Sequence, residues 1–460
     1  MNDRTHLQET LESLARKDNP AALQHFLDNQ NISDIASLVE ENEELEVEMI
    51  RVMSVNRAAA TFKILETSTQ QRIINSLPPA KTAELLNELP ADDRTAFLEE
   101  LPSGVVRELV KTLNPDERKI TLSLLGYPEG SVGRLMTPDY VYIYEYNTVA
   151  EVLETIRKVG KNSETIDVVY VINKKGELID DIRIREFILA SPETKVSELM
   201  DGRFITLHAE DDQEMASEAF KMNNRVALPV VSKTNKLLGI VTIDDVLWVA
   251  TEEFSEDMQK MGGTEALTQP YLETPIRQLF KKRITWLIVL FLGELLTAST
   301  MAFFEDEIAK AVVLALFVPL IISSGGNSGS QASTLIIQAM AVGEITIKDW
   351  WLVIRREVIQ GLLLGLALGL VGFLRVVIWA NIFPETYGAH YMLIAAVVGL
   401  SLVGVVMWGT ITGSMLPIIL KKLGADPAVS SAPFVATLVD VTGLIIYFSI
   451  ALLFLSGSIL

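Results

Sequence analysis

One aspartate, Asp440, lies near the middle of the last long apolar stretch of the chain, within the segment PFVATLVDVTGLIIYF. An unpaired carboxylate in hydrocarbon costs at least a few kcal/mol, so such a residue usually marks an ion path or a proton relay. Ala432 and Ala436 precede it by about two turns and one turn of helix, and Gly443 follows by about one turn. We therefore predict that these small residues line a narrow passage, with one carboxylate at its narrowest point. The alternatives are a protonated aspartate that donates a hydrogen bond to another helix, and a pairing of the aspartate with Arg375.

A polar, glycine-rich run, GGNSGSQ at residues 325–331, interrupts another apolar stretch. Such residues are tolerated at membrane depth only against other protein or a water-filled cavity. A helix broken here would present Gly325, Gly326 and Asn327 as oxygen ligands for a cation. Close helix packing through small residues is the alternative. Glu294 is a further carboxylate within an apolar stretch, where a functional role and a pairing with another helix are equally compatible with the sequence.

A dense run of carboxylates precedes the apolar stretches. At about 3.6 residues per turn they share one flank of a predicted amphipathic helix: Asp245, Glu252, Glu253, Glu256 and Asp257. Because like charges one turn apart repel, we expect bound divalent cations or a basic surface to stabilise this helix. Lys260 and the basic region 277–283 are the competing partners.

Five apolar stretches are near or above the roughly 20 residues that cross hydrocarbon: 284–304, 311–341, 352–379, 392–420 and 430–455. Basic residues lie before the first stretch, between the second and third, and between the fourth and fifth, whereas the other two loops are acidic or neutral. The positive-inside rule then predicts an N-terminus inside and a C-terminus outside. The first 276 residues carry 28 Lys+Arg against 49 Asp+Glu, whereas the rest carries 11 against 10. The acidic half is therefore predicted to be cytosolic.

Two kinds of element precede the membrane half. A repeat of 12 residues begins with Leu-Pro at Leu77, Leu89 and Leu101, and each proline is expected in the first turn of a short helix. Stacking of such units predicts a small helical solenoid, with Asp92 and Asp93 in one first turn. The later segments 168–179 and 228–246 each have the pattern of strand, turn, strand and helix start.

The composition excludes several classes of function. The net charge is −20, whereas binding of nucleic acid requires a basic surface, so nucleic acid is not an expected partner. This charge suits divalent cations as partners, although solubility alone also explains it. The absence of cysteine excludes disulfides and thiolate metal sites, and four histidines argue against a zinc enzyme. No nucleophile–base pair or phosphate loop is evident, so we do not predict an enzyme.

The paired strand–turn–strand segments resemble tandem CBS domains, which often bind adenine nucleotides. The family's ribose-binding pattern is Thr, two residues, then Asp, and the second copy matches it with Thr242 and Asp245. The first copy has Arg183 at the Thr position. The resemblance thus implies ATP or another adenine nucleotide at the second copy only, with a helix N-cap made by Thr242 as the alternative.

The whole arrangement resembles the MgtE family of magnesium channels and transporters, most specifically in GGNSGSQ at 325–331 and in residues 420–448. The implied fold is a multidomain membrane protein with an α-helical superhelical N-terminal domain, α/β tandem CBS domains and a five-helix all-α transmembrane domain. The predicted boundaries are 1–132 for the N-terminal domain, 133–245 for the CBS domains, 246–280 for an acidic connecting (plug) helix with its linker, and 281–460 for the transmembrane domain.

The resemblance implies uptake of Mg2+ across the inner (plasma) membrane through a pore at the axis of a homodimer, where Asp440 of both subunits holds the hydrated ion. Ala436 falls at the narrow position one turn earlier. Asp426 falls near the cytosolic mouth, where capping of a helix ahead of Pro427 is the alternative.

In the family, the plug helix closes the pore when cytosolic Mg2+ bridges it to the CBS and N-terminal domains. Asp245, Glu253, Glu256 and Asp257 match that motif. Asp92 and Asp93 are candidates for the N-terminal side on charge alone, and Trp248 stands where a carboxylate would be expected.

Two other functions are compatible with the sequence. One is an ion-coupled exporter of divalent metals such as Mg2+, Mn2+ or Co2+, in which Asp440 relays protons. The other is a CBS-based nucleotide sensor whose membrane part is only an anchor. A carboxylate site without sulfur or imidazole ligands suits a hard cation, but its chemistry alone does not separate Mg2+ from Ca2+ or Mn2+.

Overall fold

The computed structural model describes residues 2–16, 19–267, 271–272 and 274–456. Its contacts divide the chain into two compact units, Met1–Glu252 and Glu253–Leu460. The first unit contains short helices and two small sheets, and the second consists of helices.

The first part of unit 1 is a stack of short helices that buries one apolar core from Leu11 to Leu113, as predicted for a solenoid. Pro78, Pro90 and Pro102 of the repeat are helix N-caps, one position before the predicted first turn. The helices are α1 Asn2–Arg16, α2 Pro20–Asp28, α3 Ile32–Glu41, α4 Glu46–Val52, α5 Val55–Phe62, α6 Thr67–Ser76, α7 Pro79–Glu88, α8 Ala91–Glu99, α9 Ser103–Thr112 and α10 Pro115–Leu124.

The second part of unit 1 contains two three-stranded sheets of the same design, ordered β1-β2-β3 and β4-β5-β6. The predicted hairpins are β2–β3 and β5–β6, whereas the parallel edge strands β1 and β4 were not predicted. The elements are α11 Val132–Leu135, β1 Tyr142–Tyr144, α12 Val149–Val159, β2 Val168–Ile172, β3 Leu178–Arg183, α13 Ile184–Leu189, α14 Val196–Leu199, β4 Leu207–His208, α15 Gln213–Asn223, β5 Ala227–Val231 and β6 Leu237–Thr242.

The two sheets place Arg183 and Thr242 at equivalent positions. Arg183 pairs with Val168 at the end of the first hairpin, and Thr242 pairs with Ala227 at the end of the second. Each is the last strand residue before a helix, as the predicted alignment of the two copies requires.

The acidic helix α16 (Ile243–Met261) begins directly after Thr242, without an intervening loop. The predicted boundary between residues 245 and 246 therefore falls inside one continuous helix. The helix ends at Met261, directly before Gly262 and Gly263, and Gly263 adopts a φ of +74° that favours glycine.

Unit 2 contains five helices long and apolar enough to cross a membrane within the described part of the chain, as predicted. Their core lies between α20, α23 and α24. The helices are α17 Ile276–Phe303, α18 Glu305–Lys310, α19 Val312–Ala315, α20 Val318–Ala341, α21 Trp350–Ile382, α22 Pro384–Tyr387, α23 Tyr391–Lys422 and α24 Ala432–Leu455.

Helix α20 runs without interruption through residues 325–331, so the predicted break in this segment is wrong. Its glycines instead allow α23 to pack closely against it. A Cβ at Gly413 would overlap the carbonyl oxygen of Gly329, and a Cβ at Gly409 would overlap that of Gly325. Small residues here serve helix packing, and the backbone carbonyls remain part of a regular helix.

Candidate functional site

Asp440 lies on α24 against Gly326 of α20. A Cβ at Gly326 would lie 3.5 Å from Asp440 Oδ1 and 3.3 Å from the Cβ of Ala436. The antiparallel contact continues at Ser330, whose hydroxyl donates to the carbonyl oxygen of Ala432 at 2.9 Å. The glycine thus lets α24 bring its carboxylate directly onto α20.

One face of α20 is polar and exposed in the single chain, although the helix is otherwise apolar. The exposed polar side chains recur every three or four residues along it: Ser323, Asn327, Gln331, Thr334 and Gln338. In a membrane such a face requires water or another protein surface, because hydrocarbon cannot satisfy its hydrogen bonds. We call these five residues the polar face of α20.

Of the three predicted ligands in this segment, only Asn327 belongs to the polar face. Gly325 and Gly326 are buried against α23 and α24. Gln331 lies within the predicted polar run but was not predicted as a ligand. Ser323, Thr334 and Gln338 lie outside that run, although the helical spacing of polar residues within an apolar stretch would have identified them.

Two residues that the sequence associated with Asp440 have other contacts. Gly443 is buried against the side chain of Val405, so it packs on α23 and does not line a passage. Arg375 stacks on the ring of Trp379, 3.5 Å from its centroid, and the alternative of a pairing with Asp440 is not observed.

A second acidic group lies in unit 1, where carboxylates of α8, of the start of α16 and of the segment ahead of β2 repel one another. We call it the α8–α16 cluster, and it comprises Asp92, Asp93, Glu164, Asp244 and Asp245. Asp92 is 6% exposed, and its Oδ1 has no hydrogen-bond partner among the residues that the structure describes. Burial, and after it the neighbouring carboxylates led by Asp245, raises the pKa of Asp92 well above its usual value.

Only one basic side chain is seen to pair directly within the described part of this cluster: Lys63 Nζ lies 3.2 Å from Asp93 Oδ2. The cluster therefore combines burial with an excess of negative charge. Such a group is stabilised by binding protons or cations.

The pKa of Asp245 also depends on this environment. Burial, together with Asp244, Asp93 and Glu164, raises the pKa of Asp245 to about 7, although a hydrogen bond from Thr242 opposes the shift. The hydroxyl of Thr242 donates to Asp245 Oδ2 at 2.6 Å. This pair therefore holds a hydroxyl and a carboxylate together at the two predicted ribose-binding positions.

Because of this cluster, the local stability of α8 and of the start of α16 should depend on pH. The pKa of Asp245 in the folded protein exceeds its unfolded value of about 3.9, so the folded state binds more protons and loses stability as pH rises toward 7. Without divalent cations, amide-exchange protection of α8 and of the start of α16 should fall between pH 5 and pH 8, after correction for intrinsic exchange. Mg2+ should restore it at pH 8.

Asp245→Asn is the matched variant, since it removes the titrating group and nearly keeps its shape. It should flatten both the pH dependence and the Mg2+ effect. Protection that increases with pH in the wild-type chain would contradict the assignment of this cluster.

A third acidic group lies in unit 2 at the end of α16. Lys260 Nζ lies 2.5 Å from Glu256 Oε1 and 2.7 Å from Asp426 Oδ2. Burial, and after it Asp426, raises the pKa of Asp257 to about 6. We call Glu253, Glu256, Asp257 and Asp426 the helix-end cluster.

Asp426 has two roles in the structure. Its Oδ1 accepts a hydrogen bond from the backbone N–H of Ala428 at 2.8 Å, and its Oδ2 accepts one from Lys260. It thus caps a short 3-10 turn, Pro427–Val429, whereas α24 is capped by Ser431. The sequence had offered Lys260 as a partner of the acidic helix, but not this bridge to Asp426.

Among the described residues, no three His, Asp or Glu side chains are arranged to hold a metal ion directly. The clusters bring carboxylates close enough to repel, but not into one coordination shell. Mg2+ usually retains several of its waters, so an ion held through them needs wider spacing than a bare ion. The arrangement is compatible with hydrated ions.

Three family models match the chain. The one described as "Divalent cation transporter" (MgtE) matches residues 318–450, and the "MgtE intracellular N domain" matches 30–130. The CBS domain model matches twice, at 132–193 and 196–252. These matches confirm the predicted order of a helical N-terminal domain, a CBS pair and a helical membrane domain.

Curated relatives cover most of the chain. A protein named "Magnesium transporter MgtE" from Thermus thermophilus is 38% identical over 351 residues, which are 76% of each chain. Another of the same name from Bacillus subtilis is 32% identical over 85% of this chain and 84% of its own. A crystal structure of the cytosolic domain of the Mg2+ channel MgtE in complex with ATP matches with a TM-score of 0.51 and 32% identity, covering 53% of this chain and 99% of that one.

Proposed function

Because the chain belongs to the MgtE family, we propose that it carries Mg2+ into the cell along a path that includes Asp440. The relatives are named as transporters, in agreement with the prediction that the chain is not an enzyme. The observation that carries the proposal is the polar face of α20, exposed on a membrane helix beside an intramembrane carboxylate. Neither feature is stable against lipid.

We propose that a second copy of the chain supplies the other wall of the path. The polar face and the partly exposed Asp440 of one copy would then meet those of its partner and enclose water. A dimer axis at this place would bring two Asp440 carboxylates and two Asn327 amides around one ion. The exposed polar face of α20 supports the predicted homodimer, in which Ala436 would lie beside Asp440 at the narrow part of the path.

The chemistry of this path fits a hydrated divalent cation. Mg2+ releases water reluctantly, so carboxylate and amide oxygens would bind its waters and not the ion itself. Two carboxylates supply charge that favours a divalent over a monovalent ion. Gly325 and Gly326 contribute by allowing the helices to approach.

We place the N-terminus and unit 1 in the cytosol on the positive-inside rule. Basic residues lie in the first two turns of α17, in the connection between α20 and α21 and the second turn of α21, and at the end of α23, while the remaining connections carry acidic residues. The α8–α16 cluster and the helix-end cluster would then be exposed to cytosolic Mg2+.

The proposed control runs along α16, which carries one carboxylate cluster near its start and another near its end. When cytosolic Mg2+ is scarce, repulsion within the clusters favours a state in which α16 leaves the path open. Bound Mg2+ removes that repulsion and favours the closed state, as a ligand does when it binds one of two states more tightly. Lys260 connects this helix to Asp426, immediately ahead of α24.

The alternative of an ion-coupled exporter is tested by flux measurements on the full-length protein in liposomes. A Mg2+ gradient alone should drive Mg2+ uptake, with the same reversal potential at different pH and Na+ gradients. A reversal potential that shifts with the proton or Na+ gradient would show coupled transport and contradict the proposal.

A further inference from the structure

Helices α17 and α24 run parallel and in a constant register. Three contacts along the pair join residues that are 144 or 145 positions apart in the chain: Trp286 with Ser431, Gly293 with Thr437, and Phe304 with Phe448. The first is a 3.1 Å hydrogen bond, and the last is a stack of two rings 4.9 Å apart. Two helices joined at three levels hold their side chains at fixed relative heights.

This register brings Glu294 to the level of Asp440. The two are 146 positions apart, so their heights along the helices differ by only about 3 Å. Gly293 makes the close approach possible, since a Cβ there would lie 2.5 Å from Thr437 Cγ2. The two carboxyl groups are near enough to act on each other electrostatically.

Glu294 is exposed in the single chain, and almost none of α17 is buried within it. A carboxylate in the middle of a membrane helix is unstable against lipid. Its place beside Asp440 therefore indicates that it faces the same water-filled space or protein surface as Asp440.

We propose that Glu294 is a specificity-determining residue of the ion path, a second carboxylate that strengthens the binding of a divalent cation at the level of Asp440. This inference rests on the proposed transport function. Glu294 does not replace Asp440 as the residue nearest the narrow part. It adds negative charge at the same depth, and a doubly charged ion gains twice as much from that charge as Na+ or K+ does.

The test is Glu294→Gln in the full-length protein in liposomes, with Glu294→Asp as the variant that keeps the charge. Glu294→Gln should raise the half-saturating Mg2+ concentration about tenfold and lower the Mg2+/Na+ permeability ratio by a similar factor. Glu294→Asp should stay close to wild type. Glu305→Gln, an exposed glutamate of α18, controls for the loss of one carboxylate outside the long helices.

Wild-type affinity and selectivity in Glu294→Gln would overturn the inference. Equal losses in Glu294→Gln and Glu294→Asp would also overturn it, since they would indicate a packing role. Asp440→Asn distinguishes a failure of the proposed path from a failure of the role of Glu294: wild-type flux in that variant would refute the path itself. Lost flux in Asp440→Asn with an unaffected Glu294→Gln would refute only the role of Glu294.

Discussion

Asp440→Asn should reduce Mg2+ flux at least ~100-fold, because a divalent ion at the narrow part of the path loses a full negative charge from each copy of the chain. The substitution nearly preserves side-chain shape, and the residue opposite, Gly326, has no side chain that it could displace. A loss of flux would therefore report charge and not a disturbed fold. The measurement is the initial rate of Mg2+ entry into liposomes.

The matched control is Asp306→Asn, which removes an exposed carboxylate from α18, outside the long membrane helices. It should keep flux within about twofold of wild type, since exposed charges interact weakly through water. Asp440→Glu should retain part of the flux, because it keeps the charge and moves it by one methylene. Normal flux in Asp440→Asn would exclude a path through this residue.

The sequence was most informative where one physical requirement governs a long segment. The five membrane helices follow from the length and apolarity of their segments, and the two hairpins from alternating apolar runs ending in turns. The strands β1 and β4 were missed because three and two residues are too few to form a pattern.

The candidate site was harder to predict because its parts depend on packing. Glycines in GGNSGSQ suit both a broken helix and a close helix contact, and only the position of α23 decides for the contact. Glu164 was not predicted to join Asp92 and Asp245, because nothing in its local sequence indicates that a loop of the CBS pair meets α8. The bridge from Lys260 to Asp426 spans 166 residues and has no local signal either.

The second large effect is expected from the end of α16. Neutralising Glu253, Glu256 and Asp257 together, as Gln, Gln and Asn, should shift inhibition by cytosolic Mg2+ at least ~10-fold toward higher concentration, or abolish it. These carboxylates are the part of α16 that lies in the same unit as the path, and burial beside Asp426 raises the pKa of Asp257 to about 6. Bound Mg2+ relieves the repulsion among these carboxylates. Neutralising them removes the groups that bind the ion, so the helix should no longer respond to cytosolic Mg2+.

Helix α18, outside the proposed path, supplies a control with the same set of carboxylates. Glu305, Asp306 and Glu307 form a run of two glutamates and one aspartate on α18, and their neutralisation removes the same number of charges. That triple variant should show wild-type inhibition. It also tests whether any loss of negative charge near the membrane changes flux.

The most direct measurement is a titration of Mg2+ on the side that faces unit 1 while initial Mg2+ flux is recorded for the wild-type chain and for the Glu253, Glu256 and Asp257 triple variant. We expect wild-type flux to fall steeply as Mg2+ rises, and flux in the variant to persist over the same range. Identical inhibition curves for the two proteins would contradict control of the path by α16.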